Sequence, residues 1–217
     1  PAERKLGVTR SVLQVLAEFD HPVTVVTKSA GIERDLDLLS AMALRDIALV
    51  NVSVTSLDAG LSRKLEPRAA TPARRLRTIE RLAAAGVPTG VIVAPVIPFL
   101  NDDHVEGILR AARDAGARFA HYIFIRLPLE VAPLFREWLD NHYPMKASHV
   151  MNRIRDSRGG TDYRSQFGTR LRGEGVYANL IRQRFDKACR RLGFETDPVL
   201  DCSRFHVPGR AEQLALF

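Results

Sequence analysis

The chain has 217 residues, 46% of them hydrophobic, and Lys+Arg exceed Asp+Glu by 32 to 25, a net charge of +7. That length and apolar content support a packed core without disulfides or metal, which excludes a disordered chain and a disulfide miniprotein. No run approaches the ~18 consecutive apolar residues of a membrane-spanning helix, and the charged opening PAERKLGVTR has no apolar stretch of the kind a secretion signal needs.

In chain order, the elements alternate. Val12, Val15, Leu16 and Phe19 lie on one stripe of an amphipathic helix. PVTVVTK (22–28) is β-branched and bounded by Pro and Lys, so it reads as a buried strand. Residues 33–44 carry Leu36, Leu39 and Ala43 in helical register, and ALVNVSVT (48–55) is a second strand. A helix is expected over 72–85, with Thr71 as N-cap, Pro72 at its first position and Gly86 closing it. VPTGVIVAPVIP (87–98) is a third strand with an irregular exit, because Pro95 and Pro98 interrupt ladder hydrogen bonding. Asn101 is expected to cap a helix that ends at Gly116, and RFAHYIFIRLP (118–128) is the fourth strand. Helices follow at 130–142, 144–155 and 174–192, separated by the loop 155–175.

Alternating helices and fully apolar strands predict an α/β fold with a parallel sheet. Four strands do not close a barrel, so residues 1–128 read as part of a parallel (β/α) barrel of TIM type, lacking its opening strands. Residues 129–217 read as a helical C-terminal extension. The chain begins with Pro1, and the expectation is a processed chain or part of a longer protein. Cys189 and Cys202 do not make a ligand set by themselves. With no export signal they are expected as reduced thiols in a cytoplasmic protein.

In parallel barrels ligands bind at the C-terminal ends of the strands. Four places follow: Lys28 after the first strand, Ser53 and Thr55 with the following LSRKLEPR on the second, Pro95-Val96-Ile97-Pro98 on the third, and Arg126 on the fourth. Lys28 reads as a carboxylate clamp, a Schiff-base nucleophile or a solvated strand-exit lysine. Ser53 and Thr55 share a strand face and need partners, supplied by a ligand or by the local backbone. Arg68 could grip a carboxylate bidentately or simply pair with Glu66. The prolines present Ile97 to a planar ligand or make a structural kink. The six histidines show no metal-ligand spacing. The loop 155–175 interleaves arginines with Tyr163 and Phe167, which reads as a nucleic-acid contact or as a solvated basic loop.

Together, VTVVTKSAGIERDLDLL, VNVSVTSLDAGLSRKLEPRAATPARRLRTIERLAAAGVP and VIVAPVIPFLND resemble the spore photoproduct lyase-like branch of the radical S-adenosylmethionine enzymes, and YRSQFGTRLRGEGVYANLIRQRF resembles that branch's C-terminal part. The resemblance implies a partial (β/α)6 barrel. It implies a [4Fe-4S] cluster that reduces S-adenosylmethionine to a 5′-deoxyadenosyl radical, which abstracts hydrogen from a substrate. By position, Lys28 and Ser53 match residues holding the methionine or ribose part of S-adenosylmethionine, Thr55 is a weaker candidate, Arg68 a carboxylate partner, and Ile97 falls where the family lays an apolar residue against adenine. The family's C-x-x-x-C-x-x-C cluster motif is absent from this sequence. The expectation is therefore the C-terminal part of a radical enzyme whose substrate is open, a nucleic-acid-related one included, and inactive without its N-terminal barrel segment. A Schiff-base barrel lyase using Lys28 and a non-catalytic nucleic-acid-binding module are the alternatives.

Overall fold

The computed structural model describes residues 2–207. Four strands, β1 (Val23–Thr27), β2 (Ala48–Ser53), β3 (Thr89–Val96) and β4 (Phe119–Phe124), form one parallel sheet in the order β1-β2-β3-β4. The helices are α1 (Ala2–Leu6), α2 (Val8–Glu18), α3 (Leu36–Ala43), α4 (Ala59–Leu65), α5 (Pro72–Ala84), α6 (Val105–Asp114), α7 (Val131–His142), α8 (Pro144–Asp156) and α9 (Gly175–Leu192). This is the α/β arrangement expected from the alternation, and an open four-stranded parallel sheet is consistent with a partial barrel. Among the described residues no helix is long and apolar enough to cross a membrane.

Strand alternation sorts side chains onto two faces. Val50 and Val52 of β2, Val54 just after it, Val91 and Val93 of β3 and Tyr122 of β4 join Leu39, Met42, Ile79, Leu82, Ile108 and Leu109 of the helices in the main core. The opposite face carries Asn51, Ser53 and Thr55, then Gly90, Ile92 and Ala94. A single layer there runs Val26–Asn51–Gly90–Phe119 through the register of all four strands. The Thr71 hydroxyl caps α5 at 3.4 Å from the Arg74 amide, with Pro72 in the first turn, and Gly86 follows the helix at φ 76°, as their spacing requires.

Three local expectations are corrected. Residues 30–35 form a 3-10 turn before α3 rather than the start of an α-helix, its Ser29 hydroxyl accepting from Gly31 N at 3.0 Å. Residues 59–65, given no element in the sequence reading, form α4, because Asp58 caps it by accepting from Gly60 N at 2.6 Å and Leu61 N at 3.3 Å. Asn101 does not cap. Its side-chain amide donates to the carbonyls of Thr55 (2.7 Å) and Pro95 (2.9 Å), and its oxygen accepts from Ile97 N at 2.6 Å. A residue that bridges two strand exits leaves no oxygen free for the helix start.

The helices after β4 divide. Ala132, Phe135 and Leu139 of α7 and Val150, Met151 and Ile154 of α8 form a second apolar cluster with Ile97, Phe124, Ile125 and Leu127 at the strand exits. α9 instead returns to the main core with Ile181, Phe185 and Ala188. The chain then crosses the strand starts, where Glu195 N donates to Arg118 O and Asp201 N to Asp46 O, each at 2.8 Å.

The loop 155–175 is not displayed as a nucleic-acid arm. Arg158 is 1% exposed and donates to the carbonyls of Phe124, Ile125, Thr169 and Arg170 at 2.7–3.3 Å. Arg155 and Arg136 both bind Asp162, Arg164 binds Glu174, and Phe124 N donates to Leu171 O at 2.8 Å. The loop is tied to the exit end of β4, and Arg155, Arg158 and Arg164 are engaged within the protein, which leaves the nucleic-acid reading without support.

α5 is tied to the 3-10 turn by Glu33, which accepts from Arg74, Thr78 and Arg81. Burial pushes the Glu33 carboxyl up, but those hydrogen bonds outweigh it and hold it at about 2. A depressed carboxyl stabilises the fold above its unfolded value, and this contribution is lost as pH falls from about 4.5 toward 2. The urea midpoint is expected to drop across that window by the equivalent of about 1–3 kcal/mol. Glu33→Gln is expected to flatten the drop. A wild-type midpoint independent of pH there would contradict the tether.

Candidate functional site

The C-terminal rim of the sheet is organised by a residue the sequence reading left as a surface partner. Glu66 ends α4, and its two oxygens face different elements. Oε1 takes the Lys28 ammonium and lies 3.0 Å from the Thr55 hydroxyl. Oε2 takes Arg75 Nη2 at 2.5 Å. Arg75, only 1% exposed, completes its hydrogen bonding with the Ser53 carbonyl (3.0 Å) and the Ala70 carbonyl (2.8 Å). Burial pushes the Glu66 carboxyl up, yet Lys28 and Arg75 bring it below the ordinary carboxylate value. One buried carboxylate between two cations leaves a net positive rim.

Beside this cluster lies an apolar cavity of about 360 Å³. Lys28 and Arg126 stand on its border. Leu65, Ala94, Pro95, Ile97, Ile123, Ile125, Leu127, Val131 and Phe135 make its walls. Ile97 is fully buried. The strand exit that presents it is irregular, with the β3–β4 register shifting between Val93 and Val96, as the prolines lead one to expect. Arg126 donates to the Tyr163 hydroxyl at 2.9 Å.

The structure therefore brings Lys28, Ser53, Thr55 and Ile97 to one rim, with Ser53 contributing its backbone carbonyl to the network. The Thr55 hydroxyl is 2.8 Å from the Ala94 carbonyl and 1% exposed, so it is spent inside the protein. Arg68 is not part of the group. It is exposed and lines a separate recess with Thr27, Ser29, Arg34 and Arg74. Its anticipated partner Glu66 is engaged by Lys28 and Arg75. Arg75 was missed by the sequence reading. Its one signal was placement four residues into α5 on the side of Ile79 and Leu82, an unusual position for an arginine without a buried partner. Lys28 is ion-paired and borders solvent, unlike the desolvated amine that a Schiff-base nucleophile requires.

Comparison with known proteins bears on this rim directly. The model of the radical SAM superfamily matches residues 4–112, half of the chain, and spans β1 to β3 with the whole Glu66 cluster. The chain belongs to the radical SAM superfamily. It is also similar to an uncharacterized protein of Mycobacterium bovis and to one of Mycobacterium tuberculosis, each 31% identical over 145 residues, 66% of this chain and 43% of the relative. An uncharacterized protein of Acidianus two-tailed virus is 32% identical over 90 residues, 42% of this chain and 29% of that protein. The chain thus spans under half the length of the curated relatives it matches.

The superfamily implies S-adenosylmethionine and a [4Fe-4S] cluster, and the residues fit one and not the other. Lys28 suits the carboxylate, Glu66 the ammonium, and the apolar cavity the planar base. The cluster finds no ligands: among the described residues no three His, Cys, Asp or Glu side chains are grouped to hold a metal. Burial pushes the Cys189 thiol on α9 up to about 11, the opposite of what a thiolate ligand needs, and Cys202 lies in the segment after α9.

Proposed function

We propose that this chain is the S-adenosylmethionine-binding part of a radical enzyme of the spore photoproduct lyase-like branch, built as a partial (β/α)6 barrel. The carrying observation is the Lys28–Glu66–Arg75 cluster set against the Ile97 cavity at the strand exits. Bound S-adenosylmethionine supplies radical chemistry in this superfamily. This chain's own part is recognition. Lys28, with a side chain 38% exposed, has room to donate to a carboxylate while Glu66 fixes its position. Glu66 offers its remaining acceptor capacity to an ammonium. The Ser53 hydroxyl stands on the same strand face as Thr55, in line for a ribose hydroxyl, and Ile97 with Pro95 and Leu65 gives a dry wall for adenine. The apolar lining excludes water from the bound group. Nothing in the site favours the aldolase-type reading.

S-adenosylhomocysteine keeps the carboxylate, ammonium and adenosyl groups of the proposed ligand, so it probes this chain without a cluster. Calorimetry is expected to give saturable binding that Lys28→Met weakens about tenfold, the cost of one charge-assisted hydrogen bond. Absence of binding, or an affinity indifferent to Lys28→Met, would overturn the assignment.

A further inference from the structure

A second charged cleft lies on the helix-covered side of the sheet. Arg182, Gln183, Asp186, Lys187 and Arg190 fall on one face of α9, and Arg172 from the preceding loop stands across from them, enclosing about 580 Å³. Four cations face a single carboxylate. None of Arg172, Arg182, Lys187 and Arg190 makes an ion pair or side-chain hydrogen bond among the described residues. On the same helix Arg184 is held by Glu106 at 2.7–2.9 Å, whereas these four cations have no such carboxylate. The cations of the cleft repel one another, with Asp186 as the one carboxylate among them.

An independent observation comes from the sheet. Tyr122 of β4 is 6% exposed, and its ring packs on Phe185 of α9 at 4.8 Å between centroids. Its hydroxyl is buried without a hydrogen-bond partner. Burial raises the pKa of that hydroxyl, and the charges acting on it are those of Arg172, Asp186 and Arg182, three residues of the cleft. A buried tyrosine normally finds a partner for its hydroxyl. None of these three residues hydrogen-bonds it, so its donor is unspent.

We infer that this cleft is an anion site for a phosphate group, with Arg172, Arg182, Lys187 and Arg190 as charge donors and the buried, unpartnered Tyr122 hydroxyl as a neutral donor. A multiply charged tetrahedral anion matches the excess of cations better than a monovalent carboxylate, and arginine forks suit its oxygens. Asp186 keeps the excess moderate and narrows selection to ligands with more than one negative charge. The site is on the opposite face of the sheet from the Ile97 cavity, so it is separate from S-adenosylmethionine binding and does not depend on it.

Pyrophosphate titration by calorimetry at low ionic strength tests this. Saturable one-to-one binding is expected, weakened about tenfold by Arg182→Ala and by Lys187→Ala, with both proteins unfolding at the wild-type temperature because these side chains are exposed. Tyr122→Phe keeps the packing on Phe185 and is expected to weaken binding several-fold. No saturable binding, or binding unaffected by all three substitutions, would overturn the site. A short single-stranded oligonucleotide separates the sources of the phosphate: displacement of pyrophosphate assigns it to a nucleic-acid backbone, and no displacement assigns it to a small phosphorylated compound.

Discussion

Glu66→Ala is expected to lower the unfolding free energy by about 3–5 kcal/mol, because it strands a buried guanidinium. Arg75 is 1% exposed and has Glu66 as its carboxylate. The Ser53 and Ala70 carbonyls remain as partners but carry no neutralising charge. Lys28 can turn to solvent when its partner is lost, so most of the cost falls on Arg75. Glu66→Gln keeps the shape and an acceptor for Thr55, and its loss is expected to be smaller. The double substitution Glu66→Leu with Arg75→Met removes both buried charges and is expected to recover most of the stability of Glu66→Ala. It should still bind S-adenosylhomocysteine at least about tenfold more weakly than the wild type, since Lys28 would then have nothing to hold it at the rim and the ligand's ammonium would lose its carboxylate. Denaturant unfolding and calorimetry of these proteins separate the structural part of Glu66 from its part in binding. A loss below about 1 kcal/mol for Glu66→Ala would show that the cluster is a solvated surface pair.

Gly90→Ala carries the next largest expected effect. A Cβ at this position would lie 2.3 Å from Asn51 Oδ1 and 2.3 Å from the Phe119 ring, inside any normal contact distance. Neither neighbour can withdraw, because Phe119 is 1% exposed and Asn51 sits mid-strand on β2 and is 5% exposed. The added methyl must push β2 and β4 away from β3, and overpacking of this kind is expected to cost about 3 kcal/mol. Phe119→Leu withdraws the ring from the new methyl, so the double substitution is expected to be at least about 1 kcal/mol more stable than the sum of the two singles. Strict additivity in urea titrations would mean that the ring is not the obstruction.

Most of the rim was in view from the sequence because strand ends are where parallel sheets expose polar groups. Lys28, Ser53 and Thr55 were found from the ends of apolar runs and period-two alternation, and Ile97 from its flanking prolines, while their roles came from the family resemblance. Arg68 and Asn101 show the limit of that approach. Among the described residues Arg68 is left without an ion pair because Lys28 and Arg75 take Glu66, and Asn101 is drawn from its capping role by Thr55, 46 residues before it. Glu66 illustrates the same point in reverse. Beside Pro67 and Arg68 it looked like half of a local pair, whereas its partners are 38 residues before it and nine after it. The basic loop misled for a related reason. Composition counts arginines, but whether an arginine is free depends on the carbonyls and carboxylates that folding brings to it, as Arg158 shows with four backbone acceptors.

What the sequence alone determined is the order and type of the main elements, the parallel sheet and the edge of that sheet at which chemistry gathers. These follow from hydrophobic period, caps and prolines, which act over a few residues and survive any rearrangement of the rest. What only the tertiary structure decided is which charges meet. The Lys28–Glu66–Arg75 cluster, the buried Arg158 of the loop after α8 and the unpaired cations of the α9 cleft all depend on distances between segments remote in sequence. Electrostatic and hydrogen-bond energies fall within a few ångströms, a scale that no one-dimensional pattern resolves.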